Sequence, residues 1–167
     1  MELVSLHQYL IKAPHMTRQV FDLVRAACED RMIQTQGEVT DKDIADALQD
    51  EHSFWKVGLE AKKPYNPLVG VVSLQKFSPV DGTGEIGVSV LEEYQKQGYG
   101  TSLVAAMREW AVNTLNLRRM TNFILEDSPG IFIAKKLGDT LEGVLKAYRY
   151  RNGKYLDVHV YSWLRQE

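Results

Sequence analysis

Glu85-Ile86-Gly87-Val88-Ser89-Val90, followed by Gln95-Lys96-Gln97-Gly98-Tyr99-Gly100 and the amphipathic run from Thr101 to Leu115, reads as a strand, a tight loop and a helix. Gly98 and Gly100 flank Tyr99 and let the backbone turn sharply, leaving several N–H groups unshielded at the positive end of the helix. Such an end suits a pyrophosphate or another polyanion. The residues alone therefore predict a nucleotide-bearing cofactor.

Upstream, Leu3, Val4, Leu6 and Leu10 predict a first strand within residues 1–10. Val20, Phe21, Val24, Ala27 and Cys28 repeat at helical spacing and predict a helix over 15–32. Thr40, with Asp41 and Asp43 after it, caps a second helix ending near residue 50. Residues 54–59 and 68–77 read as strands of a hairpin, and Pro64 and Pro67 keep regular pairing out of the long loop between them. Strand four runs over 84–91, and the helix from Gly98 carries Leu103, Met107, Trp110, Ala111 and Leu115 on one stripe. A strand at 120–125 and a short helix at 131–137, closed by Gly138, come next. Asn152-Gly153 is a two-residue hairpin turn between the last two strands. This order predicts an α/β chain with a mixed sheet, mainly antiparallel in its first half, and helices on both faces.

With 167 residues, 44% of them hydrophobic, the chain is sized for a single domain, 1–167. A net charge of −2 gives no broad attraction for a nucleic-acid backbone, so no nucleic-acid partner is expected. No apolar run approaches the roughly 18 residues of a membrane span. The single cysteine, Cys28, cannot form an intrachain disulfide, and no secretory leader stands at the start, so the expected compartment is the cytoplasm. Cys28 fits a buried small side chain better than a nucleophile. His7, His15, His52 and His159 lack metal-ligand spacing, and no metal is expected.

Gly82-Thr83-Gly84-Glu85-Ile86-Gly87 matches the G-x-G-x-x-G dinucleotide fingerprint, but that motif must follow a strand and open a helix. Here Pro79-Val80-Asp81-Gly82 is turn chemistry and Gly87 runs into Val88-Ser89-Val90. The lysine-bearing phosphate loop is also absent, because Leu103 stands where its second glycine would be.

The order Gln-x-x-Gly-x-Gly from Gln95 to Gly100, behind a Glu-bearing strand, resembles the acetyl-CoA-binding motif of the GNAT superfamily of N-acetyltransferases. Glu92-Glu93-Tyr94-Gln95 through Gly100-Thr101 is similar to the branch that holds the ribosomal-protein N-terminal acetyltransferases and the spermidine acetyltransferases. Thr140-Leu141-Glu142-Gly143-Val144-Leu145 and Asn152-Gly153-Lys154-Tyr155-Leu156-Asp157-Val158 resemble that branch's C-terminal hairpin. The resemblance covers residues 84–164. It implies a GNAT-type fold with a mixed, mostly antiparallel sheet of about six to seven strands between helices.

It also implies acetyl-CoA as cofactor and a primary amine as acceptor, attacked directly in a ternary complex. A protein N-terminus, a polyamine, an amino acid and an aminoglycoside all fit, and a homodimer is compatible. In the resembling family a glutamate at Glu85 is the general base, acting through water; the residues alone also fit a strand-end carboxylate paired with a surface cation. Val88, Ser89 and Val90 lie where the family splays two parallel strands around the pantetheine arm, and Val88 and Val90 equally suit the core. Gln95, Lys96, Gln97, Gly98, Tyr99, Gly100, Thr101 and Ser102 would cradle the pyrophosphate. Tyr99 could lie over the cofactor or be a surface aromatic.

Asp127, Gly130 and Ala134 would complete the cofactor site, with departures from the family pattern. Asp127 replaces an amide-donating Asn and, ionised, can only accept hydrogen bonds. Ala134 stands where many members carry a tyrosine acid, and Asp139 replaces the Phe of Leu-Gly-Phe. Ser128 is a substitute proton donor or simply a turn residue before Pro129. These departures motivate a second reading, a catalytically weak acyl-CoA-binding or sensory module.

Overall fold

Leu68-Val69-Gly70-Val71-Val72-Ser73-Leu74 is apolar toward both faces, as a strand in the middle of a doubly covered sheet must be. In the computed structural model, which describes residues 2–5, 18, 20, 22–25, 46, 48–49, 51–59 and 67–166, all seven of these residues are buried. They belong to β3 (Leu68–Ser78). Around it lie β1 (Glu2–Ser5), β2 (Phe54–Leu59), β4 (Thr83–Val90), β5 (Arg119–Leu125), β6 (Thr140–Arg151) and β7 (Lys154–Leu164), with helices α1 (Tyr99–Leu115) and α2 (Gly130–Lys136).

Among the described residues the strands form one sheet in the order β1-β2-β3-β4-β5-β7-β6. Every neighbouring pair is antiparallel except β4–β5, which is parallel and needs the crossover through α1. Residues 18, 20, 22–25, 46, 48 and 49 are helical and fall within the two helices expected upstream. Cys28, the Thr40 cap, Pro64 and residues 6–10 of the expected first strand lie outside the described residues.

The apolar stripe of α1 packs on β3 and β4. Leu103, Val104, Met107 and Ala111 are buried against Val72, Leu74, Ile86 and Met120. Burying a leucine, valine, isoleucine or methionine side chain contributes about 1.5–3 kcal/mol. Trp110 lies at the edge, tilted against Phe54 at 5.3 Å, with Lys56 Nζ 4.0 Å above its ring. Asn116, in the left-handed conformation at φ 52°, ends α1.

The rejected dinucleotide motif is turn and strand. Ser78 Oγ donates to Asp81 Oδ2 at 2.8 Å, and Gly82, at φ 61°, gives its N–H to Ser78 O. Gly82 O then accepts from the N–H groups of Arg118 and Arg119, at 2.7 and 3.0 Å, which ties the β3–β4 turn to the start of β5. At the other hairpin, Asn152 and Gly153 both take positive φ, 51° and 80°, as the expected turn requires.

No helix among the described residues is long and apolar enough to cross a membrane.

Candidate active site

The parallel ladder between β4 and β5 is short. It contains Thr83↔Arg119, Gly84↔Met120 and Glu85↔Thr121, and then the strands part. Beyond that point residues 86–90 stay paired with β3, and 122–125 stay paired with β7. A gap is left between them, where the β5-facing edge of β4 has no ladder partner among the described residues. Ile86, Val88, Asn122, Ser128, Ile133 and Ala134 are among the residues that wall a cavity of about 90 Å³ at this gap.

Side-chain alternation assigns the two faces. Ile86, Val88 and Val90 pack with the α1 core, so Glu85, Gly87 and Ser89 point to the opposite face. Ser89, which sequence alone left open, therefore shares a face with Glu85. The gap between β4 and β5 joins that face to the α1 side.

The loop at the mouth of the gap is braced by its own side chains. A 3₁₀ turn at Glu92–Tyr94 leads to Gln95, whose Nε2 donates to Val90 O at 3.1 Å. Gln97 Nε2 donates to Glu93 O at 2.7 Å. Lys96 and Gly98 both take positive φ, 58° and 89°. Tyr99 meets Tyr94 edge-on at 5.5 Å. Gly98 is the N-cap of α1, and no side chain among the described residues caps that end. Tyr99, Gly100 and Thr101 thus form the first turn of α1, ahead of the first intrahelical bond, from the Ser102 N–H to Gly98 O at 3.1 Å.

The two glycines serve different ends. Nothing lies within 4 Å of where a Gly98 Cβ would stand, so only the left-handed backbone calls for glycine there. A Cβ on Gly100 would meet Ile133 Cδ1 at 2.9 Å and Val90 Cγ2 at 3.6 Å, so this glycine lets α1 approach the cavity wall. Gly98→Val is expected to weaken coenzyme A binding at least about tenfold, through about 1–2 kcal/mol of strain in a left-handed β-branched residue and a misplaced loop. Calorimetric titration checks this, and an unchanged affinity would count against the loop as the anion site.

The other anticipated residues divide. Ser128, Gly130 and Ala134 line the cavity. Ser128 Oγ accepts from the Gly130 N–H at 3.2 Å and so acts as a turn brace at the start of α2. A Cβ on Gly130 would stand 3.0 Å from Ile124 Cγ2, so this glycine lets α2 close on β5. Asp127 points elsewhere, into an ion pair with Arg151. Glu85 Oε1 lies 3.1 Å from Lys76 Nζ, and its side chain is 23% exposed.

Ala134 is 1% exposed and packs with Ile124 and Tyr161. A phenol introduced there has to fill the cavity itself. Ala134→Tyr is therefore expected to cost about 1–3 kcal/mol through overpacking and to weaken cofactor binding, instead of adding a useful acid. Thermal melts and calorimetry read the two effects.

Sequence reasoning missed a buried polar cluster behind the cavity. Arg108 of α1 donates through Nη2 to Asp139 Oδ1 at 2.8 Å, and Asn122 Nδ2 donates to Asp139 Oδ2 at 3.1 Å. All three residues are less than a tenth exposed. Burial pushes the Asp139 carboxyl up and the Arg108 guanidinium down, while their attraction opposes both shifts. An arginine starts so high that it stays charged at neutral pH, and the 2.8 Å contact is that of an ionised pair. The available signal was two polar residues at inward positions, Asn122 between Met120 and Ile124, and Asp139 behind Gly138.

The chain is similar to known proteins. Residues 6–139 match the family described as acetyltransferase (GNAT) domain. An uncharacterized N-acetyltransferase, YoaA, of Bacillus subtilis (strain 168) is 26% identical over 117 residues, 70% of this chain and 66% of that protein. The ribosomal-protein-serine acetyltransferase of Escherichia coli (strain K12) is 32% identical over 96 residues, 57% of this chain and 54% of that protein. The chain thus spans less than two thirds of the length of either relative. The crystal structure of spermidine N-acetyltransferase from Vibrio cholerae in complex with CoA and spermine superposes with a TM-score of 0.78 at 18% identity, covering 98% of this chain and 94% of that one. At that identity the likeness concerns the fold.

Proposed function

Because the chain belongs to the GNAT acetyltransferase family, whose cofactor is acetyl-CoA, we propose that it transfers the acetyl group of acetyl-CoA to a primary amine by direct attack in a ternary complex. The observation that carries this reading is the parting of β4 from β5 after Glu85↔Thr121, beside a helix N-terminus that no side chain among the described residues caps. The described residues fit the cofactor. The α1 N-terminus at Gly98–Ser102 suits its phosphates, the free edge of β4 at 86–90 offers a strand-like partner to its amides, and the apolar cavity wall suits its alkyl carbons.

When bound, acetyl-CoA supplies an acetyl thioester. The amine must be neutral to attack it, and amines of the α-amino and lysine types have pKa values of about 7.7–8.0 and 10.4. Glu85 lies at the apex of the gap on the face opposite α1, and in this reading its carboxylate takes the amine's proton through a water. Ser128, in the cavity wall, is the protein's candidate proton donor to the departing sulfur. A thiol of ordinary pKa, about 8.5, can also leave close to its thiolate.

The acceptor is proposed only as far as its class. Spermine accompanies CoA in the V. cholerae structure and a ribosomal protein is the acceptor of the E. coli relative, so a polyamine and a protein N-terminus head the panel. Thiol release from acetyl-CoA, measured with spermidine, amino acids, an aminoglycoside and N-terminal peptides, tests the reading. The ion pair of Glu85 with Lys76 favours the second reading, an acyl-CoA-binding module. Tight binding without thiol release from any amine would select it.

A further inference from the structure

The carbonyl of the Asn122 side chain is buried and has no partner among the described residues, yet Asn122 stands in the wall of the cavity between β4 and β5. Its orientation is fixed by what lies behind it. Asp139, ionised beside Arg108, can only accept hydrogen bonds, so the NH₂ of Asn122 must face Asp139 and the carbonyl oxygen must face away. Buried carbonyls in folded proteins are nearly always paired. A partner for this one can come from what fills the cavity.

We propose that Asn122 Oδ1 accepts a hydrogen bond from an amide N–H of the pantetheine arm of coenzyme A, and that Asp139 is the positioning residue that turns the Asn122 amide toward it. The inference rests on the cofactor reading given above. Two features choose the arm over the acceptor amine. Asn122 lies on the α1 face of the sheet with Met120 and Ile124, whereas Glu85 lies on the other face, where the amine's proton is taken. Arg108 and Asp139 neutralise each other's charge, so Asn122 brings a neutral amide to the cavity wall beside apolar residues such as Ile86, Val104 and Ile133. That environment suits a neutral amide on an alkyl chain and leaves an ammonium uncompensated.

The test compares two ligands by calorimetry: coenzyme A, and adenosine 3′,5′-bisphosphate, which has the phosphates but no arm. Asn122→Leu should weaken coenzyme A about tenfold, the loss of one hydrogen bond with the ligand's donor left unpaired. It should leave the bisphosphate unchanged. Asn122→Ala should show the same selectivity, and it serves if the leucine variant fails to fold. Asp139→Asn, whose amide no longer dictates which way Asn122 turns, should show a smaller loss confined to coenzyme A. Equal weakening of both ligands, or full coenzyme A affinity in Asn122→Ala, would overturn the inference alone. Wild-type protein that binds neither ligand would overturn the cofactor reading and the inference with it.

Discussion

Glu85→Gln is expected to lower turnover at neutral pH by about 10²–10⁴-fold, the usual contribution of a positioned general base, with coenzyme A affinity nearly unchanged. The side chain projects from the face of β4 opposite the α1 core, at the last residue of β4 that pairs with β5. In the proposed function this carboxylate receives the amine's proton, and it stands at the opposite end of β4 from the loop that would hold the phosphates. Raising the pH should recover part of the loss, because the amine then deprotonates without help. The ion pair with Lys76 adds a second handle. Lys76 is 75% exposed, and such a pair contributes only about 0–1 kcal/mol to stability. Lys76→Met should thus leave the fold intact and Glu85 in place. Initial rates of thiol release across pH, with the best amine of the panel, read both variants. A wild-type rate and pH profile in Glu85→Gln would move the base elsewhere.

Asp139→Ala is expected to destabilise the protein by about 3–5 kcal/mol, the cost of leaving one charge of a buried pair uncompensated. Arg108 Nε is already buried without a partner among the described residues, and the guanidinium lies 4.8 Å over Trp163. Removing the carboxylate strands the charge there and takes the partner of Asn122 Nδ2 as well. A domain of ordinary stability has about 5–15 kcal/mol in total, so the loss is a large share of it. Replacing both ends of the pair, Arg108→Met with Asp139→Leu, should recover much of the deficit, because an apolar pair of fitting volume needs no desolvation. Urea unfolding measures each variant. A loss below about 1 kcal/mol for Asp139→Ala would mean that the pair is not the ionised, shielded contact described here.

Local signals were the legible part of this chain. The expected strand at 54–59 is β2 residue for residue, and the apolar run at 68–77 becomes β3 with one residue added. Gly98 caps α1, and Asn152-Gly153 turns the last hairpin. Each of these rests on periodicity or on a backbone conformation that a single residue type favours. α2 starts at Gly130 and ends at Lys136, one residue earlier at each end than expected, since helix ends follow capping more than apolar spacing.

The remainder depends on partners distant in sequence. Arg108 and Asp139 are 31 residues apart, and Asn122 and Asp139 are 17 apart, so no window of periodicity contains the cluster. Lys76 reaches Glu85 across the β3–β4 hairpin because the register shifts between Gln75 and Ser78, with Lys76 at φ 50°. A second irregularity, at Ala147 with φ 49°, is held by Asp157, whose carboxylate accepts from the Ala147 N–H at 2.9 Å and from Lys146 Nζ at 2.7 Å. Side chains that brace non-glycine residues in left-handed backbone leave no pattern in the sequence. The motif glycines were legible as glycines, whereas the reason for Gly100, contact with Ile133, required the fold.

In the proposed function, the gap between β4 and β5 and the loop at the start of α1 hold coenzyme A together. Backbone amide resonances of the ¹⁵N-labelled protein, followed during titration with coenzyme A, test this residue by residue. The largest shifts should fall on residues 98–102 and 86–90, with Asn122 responding through its side-chain amide, while residues of β1 and the 152–153 turn stay still. Shifts concentrated elsewhere on the sheet, or a titration that moves no resonance in the loop and the gap, would contradict it.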